Sequence, residues 1–238
     1  MAETQGRPNV EVVIGEVIES VFKTVAEVRR LALACHDAAA AHGGRLADDD
    51  VRGLAPEILT LLRKPDEIAV GLGLILEPGL LPAHPLRIEW WQWAAGHDNP
   101  VQLEVDLHPD SLGFYDYAST EWFAVPKGTR QRHIVGPYVD VHGTDQYLLT
   151  LTMPVEADGE FLGVAGADVP ITRFETLVLR RLEPGGEAVI VNGEGRVVLS
   201  TSSRWITGSL VGKGDAVVTR ALPRLPWELF EPMGSGRA

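Results

Sequence analysis

The chain has a single cysteine, Cys35, so neither an internal disulfide nor a thiolate metal cluster can form. No segment approaches the ~20 consecutive apolar residues of a membrane helix, and no basic stretch followed by an apolar core opens the sequence. Cations are in deficit. There are 21 Lys plus Arg against 33 Asp plus Glu, a formal net charge of −12, which on average repels a phosphate backbone or an anionic membrane. Neither nucleic acid nor a membrane is therefore expected as a partner, and the cytoplasm is the expected location. Catalytic signatures are missing too: no GxSxG elbow, HExxH or paired-cysteine spacing occurs, and Gly71-Leu72-Gly73 does not open a helix as a phosphate loop would. No cofactor and no enzymatic activity are expected.

What is present is the composition of a folded domain, 45% hydrophobic and 23% charged, with enough chain for one main lobe and a small second one. The expected division is a polar leader at 1–8, a ligand-binding lobe over 9–183 and a short second lobe over 184–238, set off by Pro184-Gly185-Gly186. Val10, Val13, Val17, Val21, Val25, Val28 and Ala32 recur at helical spacing, widened by Ile14, Ile18 and Phe22, so a long helix is expected over 10–42 with Gly43-Gly44 at its end. The breadth of that stripe predicts a homodimer through the N-terminal helix. Asp48 to Asp50 supply N-caps for a second helix to about Leu62, with Pro56 as a kink or restart.

Beyond residue 66 the period becomes that of strands. They are expected over 68–76, 86–95, 101–107, 134–141, 147–156 and 161–169, then a helix to about 182 and two more strand pairs. A helix-led chain followed by antiparallel hairpins is an α+β fold. Within LRIEWWQWAA, Leu86, Ile88 and Trp90 share one face while Arg87, Glu89, Trp91 and Trp93 share the other, which suits a ligand pocket or a helix-covered face.

Chemistry concentrates in residues 114–168. Tyr115, Tyr117, Trp122, Phe123 and Tyr138 accompany Asp140 and Asp168. Aromatic faces and carboxylates together attract an ammonium group, although the same residues also read as core aromatics with turn-capping aspartates. Asp168 favours a ligand, because it lies in the apolar run GVAGADV, where an unpaired carboxylate is costly. Asp140, His142 and Asp145, with His133 nearby, are metal-ligand types, but their spacing matches no metal motif. No metal site is assigned. Cys35, among Leu33, Ala34 and Ala38, reads as a packing residue more than a nucleophile.

The ordered pieces EWFAVP (121–126), GPYVD (136–140), TLTMPV (150–155) and DGEFLGVAGADV (158–169) resemble those of Cache-family sensor domains of the PDC type. EAVIVNGEGRVVLSTS followed by ITGSL resembles the start of the second lobe of double Cache domains, here shortened. The resemblance implies a long helix leading a PAS-like antiparallel sheet, and a ligand-binding module of the kind found in chemoreceptors and sensor kinases. In the amine- and amino-acid-binding subgroups a Trp-aromatic pair and two aspartates hold the ligand's ammonium group. Trp122-Phe123, Asp140 and Asp168 match those positions.

Thr120 departs from the pattern, standing where the amino-acid subgroup has a carboxylate-clamping arginine. Threonine offers no bidentate cationic fork. The expected ligand is therefore an amine or other ammonium compound, unless Arg87, Arg130 or Arg132 replaces the clamp. Tyr117, Thr120, Trp122, Phe123, Tyr138, Asp140, Asp168, Trp91 and Trp93 are the expected binding residues, and a separate signalling or transport polypeptide the expected partner. The alternatives are an enzyme or metal-dependent protein using Asp140 and Asp168, or a structural dimerisation module with a vestigial pocket.

Overall fold

The computed structural model describes residues 9–140, 146–182, 187–212 and 216–232. The 1–8 leader, Pro184-Gly185-Gly186, and His142 and Asp145 of the metal reading lie outside them. The helices are α1 (Val10–Ala41), α2 (Asp48–Arg52), α3 (Ala55–Leu62), α4 (Glu121–Thr129) and α5 (Ile171–Arg181), with a 3-10 turn at Tyr117–Ser119. The strands are β1 (Gly71–Leu76), β2 (Ile88–Gln92), β3 (Val101–Gln102), β4 (His133–Val139), β5 (Tyr147–Ala157), β6 (Glu160–Pro170), β7 (Val189–Asn192), β8 (Val197–Ser200), β9 (Ala216–Ala221) and β10 (Trp227–Pro232). They form a six-stranded sheet of order β3-β2-β1-β6-β5-β4 and a four-stranded sheet of order β8-β7-β10-β9. The fold is α+β, led by a long helix.

Two compact units result. The larger comprises Ser20–Val135 and Val139–Pro170; the smaller comprises Met1–Glu19, Gly136–Tyr138 and Ile171–Ala238. The division thus falls at Pro170/Ile171, and α5 belongs with the smaller unit. In that unit Phe174 of α5 meets Trp227 edge-on at 5.8 Å, and Val189, Val191, Val197 and Phe230 form a core cluster.

The sequence stripe on α1 is consumed within the chain. Val13, Ile14, Val17, Ile18, Val21, Phe22, Val25 and Val28 are each no more than 3% exposed. These residues cover the chain's own core, so the breadth of the stripe needs no second copy of the helix to account for it. Pro56 opens α3 rather than kinking a longer helix, since its missing N–H costs nothing in a first turn. Ala47, not an aspartate, caps α2, and its N–H donates to Asp50 Oδ2 at 2.9 Å.

Two segments depart from the strand pattern. Bonding to β2 ends at Leu103, whose N–H donates to Trp90 O at 2.9 Å, although Val105 and Leu107 still pack on the core; alternation reports one-sided burial, not pairing. EWFAVP is helical, despite Pro126 within it.

In the larger sheet, alternation gives each face a distinct task. Leu72, Leu74, Ala165, Ala167, Leu149 and Leu151 are at most 1% exposed on one face. There α3 packs on β1 and β2, and α1 is tied to β5 by Arg29 Nε donating to Pro154 O at 2.9 Å. The opposite face carries the candidate site.

Candidate functional site

Strand register builds this face row by row. Gln92, Gly71, Asp168 and Thr150 form one row across β2, β1, β6 and β5; Trp90, Gly73, Gly166 and Thr152 form the next; Ile88, Ile75, Val164 and Pro154 form the third. Small residues in the middle make a low floor for the Trp90 indole. A Cβ at Gly71 would stand 2.7 Å from Trp90 Nε1 and 3.1 Å from Asp168 Oδ2, and one at Gly166 would stand 3.4 Å from Trp90 Cη2. The indole therefore lies across the glycines, with its N–H edge toward Asp168.

The roof comes from the 3-10 turn and α4. Tyr117 and Phe123 are 1% and 0% exposed. Phe123 meets Tyr117, Trp122 and Phe161 edge-on at 5.4, 6.2 and 5.6 Å, the edge-to-face geometry that aromatic quadrupoles favour. Pro126 gives α4 its attachment. Lacking an N–H, it cannot donate to the carbonyl four residues earlier, which is that of Trp122. Thr152 on β5 donates to that oxygen instead, Oγ1 to O 2.8 Å. The helix interruption thus becomes a tie to the sheet, and half-buried Trp122 packs against the cluster that holds Trp90 and Phe123. Tyr115, also half-buried, is fixed by its N–H on Asp106 O at 2.7 Å.

Asp168 is 8% exposed, and Thr150 Oγ1 donates to its Oδ1 at 2.6 Å. Burial pushes its carboxyl up to about 7; the Thr150 hydrogen bond opposes the rise and the nearby Asp140 carboxylate adds to it. Burial, then Asp140 and Asp168, raise the Tyr115 hydroxyl, which stays protonated. Two carboxylates that repel one another beside aromatic faces are an arrangement that a small cation relieves. Among the described residues no group of three or more His, Cys, Asp or Glu could hold a metal ion.

Several expected binding residues are placed elsewhere. Trp91 and Trp93 project to the helix-covered face, one residue out of phase with Trp90: Trp91 Nε1 donates to Glu89 Oε1 at 2.7 Å, and Trp93 Nε1 to Leu62 O of α3 at 3.5 Å. Tyr117 is a core pin, its hydroxyl donating to Leu76 O at 2.8 Å while burial pushes it up to about 12. Phe123 is core for the packing reason given above. Thr120 precedes α4 and turns its hydroxyl back onto Tyr117 O at 2.6 Å. Tyr138 lies on β4 in the part assigned to the smaller unit. Asp168, Trp122 and Asp140 are the expected residues that remain at the site. Sequence reasoning passed over Trp90, Thr150, Gln92 and Gly71.

The substitute clamps are committed as well. Arg87 is paired with Asp48 at 2.6 Å and Glu89 at 2.6 Å, Arg130 with Glu156 at 3.4 Å, and the Arg132 guanidinium lies 4.5 Å from the Phe22 ring centre. Cys35 Sγ contacts Asp50 O at 3.4 Å, and burial raises its thiol, as befits a packing residue. A cavity of about 680 Å³ lined by Asp48, Arg52, His84, Arg87 and His108 is a separate feature. Its arginines are neutralised by its own acids.

Residues 101–176 match the family described as methyl-accepting chemotaxis protein-like, first PDC sensor domain. Over that segment the chain is similar to PDC-type sensor domains. It is 28% identical over 156 residues to the methyl-accepting chemotaxis protein TlpQ of Pseudomonas aeruginosa, an alignment covering 63% of this chain and 21% of TlpQ. The chain thus spans about a fifth of that relative. Among solved structures, methyl-accepting chemotaxis protein X superposes with a TM-score of 0.60 at 14% identity, covering 92% of this chain and 94% of that one. The ligand-binding domain of Campylobacter jejuni chemoreceptor Tlp3, in complex with L-norvaline, gives 0.57 at 13% identity, over 82% and 66% of the two chains. No helix among the described residues is long and apolar enough to cross a membrane.

Proposed function

We propose that the larger unit binds a small organic ammonium compound, an amine rather than an ordinary α-amino acid, and that the chain serves as a binding module reporting to a separate polypeptide. The observation that carries this reading is Asp168, a buried carboxylate met by the Thr150 hydroxyl and near a second carboxylate, Asp140, with Trp90 and Tyr115 beside it. An ammonium group ion-pairs with the carboxylates and lies against the aromatic faces. Among the expected clamps, Thr120 is neutral and turned onto Tyr117, Arg87 and Arg130 are held by acids of their own, and Arg132 lies over the Phe22 ring, so none is set aside for a ligand's α-carboxylate. The amino acid bound by the Tlp3 domain is therefore not carried over.

A thermal-shift screen of primary amines and α-amino acids tests the proposal, because a ligand specific for the folded state raises its melting temperature. Amines are expected to stabilise the wild type and not Asp168→Ala. Stabilisation by several α-amino acids without any amine response contradicts the reading. No response to any small molecule favours a domain whose pocket is vestigial.

A further inference from the structure

Two adjacent rows hold polar groups that the ammonium reading leaves unused. Gln92, in the row of Asp168, is 6% exposed, and among the described residues its buried Oε1 has no hydrogen-bond partner. Trp90, in the next row, is 4% exposed, and its indole N–H is a donor that an ammonium group does not use. The two residues are second neighbours on β2 and so face the same side of the sheet as Asp168. Only Gly71 separates Gln92 from Asp168 in the row, and it contributes no side chain. Trp90 Nε1 and Asp168 Oδ2 both press on the space above that glycine. Beside the carboxylate, therefore, stand one buried unfilled acceptor and one indole donor. A buried acceptor is nearly always satisfied, and a ligand held by Asp168 is placed to satisfy it.

The chemistry of the complementary group follows. It must donate to Gln92 and accept from Trp90, which a hydroxyl or a carboxamide does. A carboxylate has nothing to donate and adds a third negative charge near Asp140 and Asp168. A second ammonium has no lone pair for the indole, and a neutral carbonyl offsets little of its desolvation. A plain alkyl chain leaves both groups unmet.

We propose that the ligand carries a neutral hydroxyl or carboxamide in addition to its ammonium group, so that Gln92 and Trp90 select amino alcohols or amino amides over plain amines, diamines and amino acids. This rests on the reading of Asp168 as the ammonium anchor. The carboxylate sets the class of ligand, and the β2 pair sets which member of the class is preferred.

Calorimetric titration of the full chain, at about pH 8 so that Asp168 is ionised, tests it. The probes are matched series of increasing chain length: n-alkylamines, ω-amino alcohols, ω-amino amides, diaminoalkanes and ω-amino acids. An amino alcohol or amino amide is expected to bind about tenfold or more tightly than the alkylamine of equal length. Gln92→Leu should erase that advantage, and Trp90→Phe should reduce it. Asp168→Ala should abolish binding of every amine. Equal affinities for alkylamine and amino alcohol, or tightest binding of a diamine or amino acid, overturn the β2 assignment while the ammonium site stands. Binding that survives Asp168→Ala overturns both. If Gln92→Leu fails to fold, the wild-type preference and Trp90→Phe decide the question.

Discussion

Asp168→Asn gives a sharp energetic test, because it removes a charge while keeping the shape and the acceptor for Thr150. The wild-type carboxyl titrates at about 7 in the folded chain against an ordinary 3.8. The folded state thus holds the proton more tightly than the unfolded one. Below about pH 4 both states are protonated and Asp168 costs nothing; between about 4 and 7 only the unfolded state has lost its proton, and stability declines. Above about 7 the full penalty is present. Roughly three pKa units at about 1.4 kcal/mol each make it about 4 kcal/mol. The advantage of Asp168→Asn over wild type should therefore grow by about that amount from pH 4 to pH 8. Urea unfolding followed by tryptophan fluorescence suits the measurement, since Trp90, Trp91, Trp93 and Trp122 all lie in the larger unit. A difference that is flat across this range, or an Asn variant less stable than wild type at pH 8, refutes the account of Asp168 as a carboxylate buried without its cation.

The same group predicts how binding depends on acidity: amine affinity should fall about tenfold per unit as the pH drops below about 7, with a proton released on binding at pH 6, read by calorimetry in two buffers of different ionisation enthalpy. Affinity constant between pH 5 and pH 8 contradicts it. Gly71→Ala would push a methyl to 2.7 Å from Trp90 Nε1 and 3.1 Å from Asp168 Oδ2; it should cost about 1–3 kcal/mol of stability and weaken amine binding more than Gly15→Ala, which meets open space. Tyr117→Phe leaves the buried Leu76 carbonyl without its hydroxyl donor and should cost about 1–3 kcal/mol in urea unfolding, with the order of ligand preference unchanged. Trp93→Phe, on the far face, should leave amine affinity within about twofold, whereas Trp122→Ala should reduce it about tenfold or more by titration.

The parts of the fold legible in the sequence were those where one pattern reports one physical cause. The apolar period of α1 reflects burial of a single face, the long apolar runs of β5 and β6 reflect strands buried on both, and their bounds in the structure fall within a residue or two of those expected. EWFAVP was not legible as a helix, because a proline in its interior argues against one. What permits it is a threonine thirty residues away that takes up the freed Trp122 carbonyl. The breadth of the α1 stripe is ambiguous for a related reason: it shows that a helix is buried, not what buries it.

At the site, Asp168 was legible because a carboxylate in an apolar run demands a partner. Trp91 and Trp93 were chosen over Trp90 because LRIEWWQWAA does not say which face the helices cover. The information lay in other strands: Gly71 and Gly73 on β1, and Thr150 and Thr152 alternating with leucines on β5, mark the face that leaves room for a large indole and for polar contacts. Register joins these signals, and a linear reading of one strand does not supply it.

The position of one nitrogen decides how this site works, and a crystal structure of the chain with a bound primary amine would show it. The amine nitrogen should lie within hydrogen-bonding distance of the Asp168 carboxylate, against Trp122 and over the Trp90 indole. An amine seated elsewhere, with the Asp168 carboxylate touching only Thr150, would contradict it.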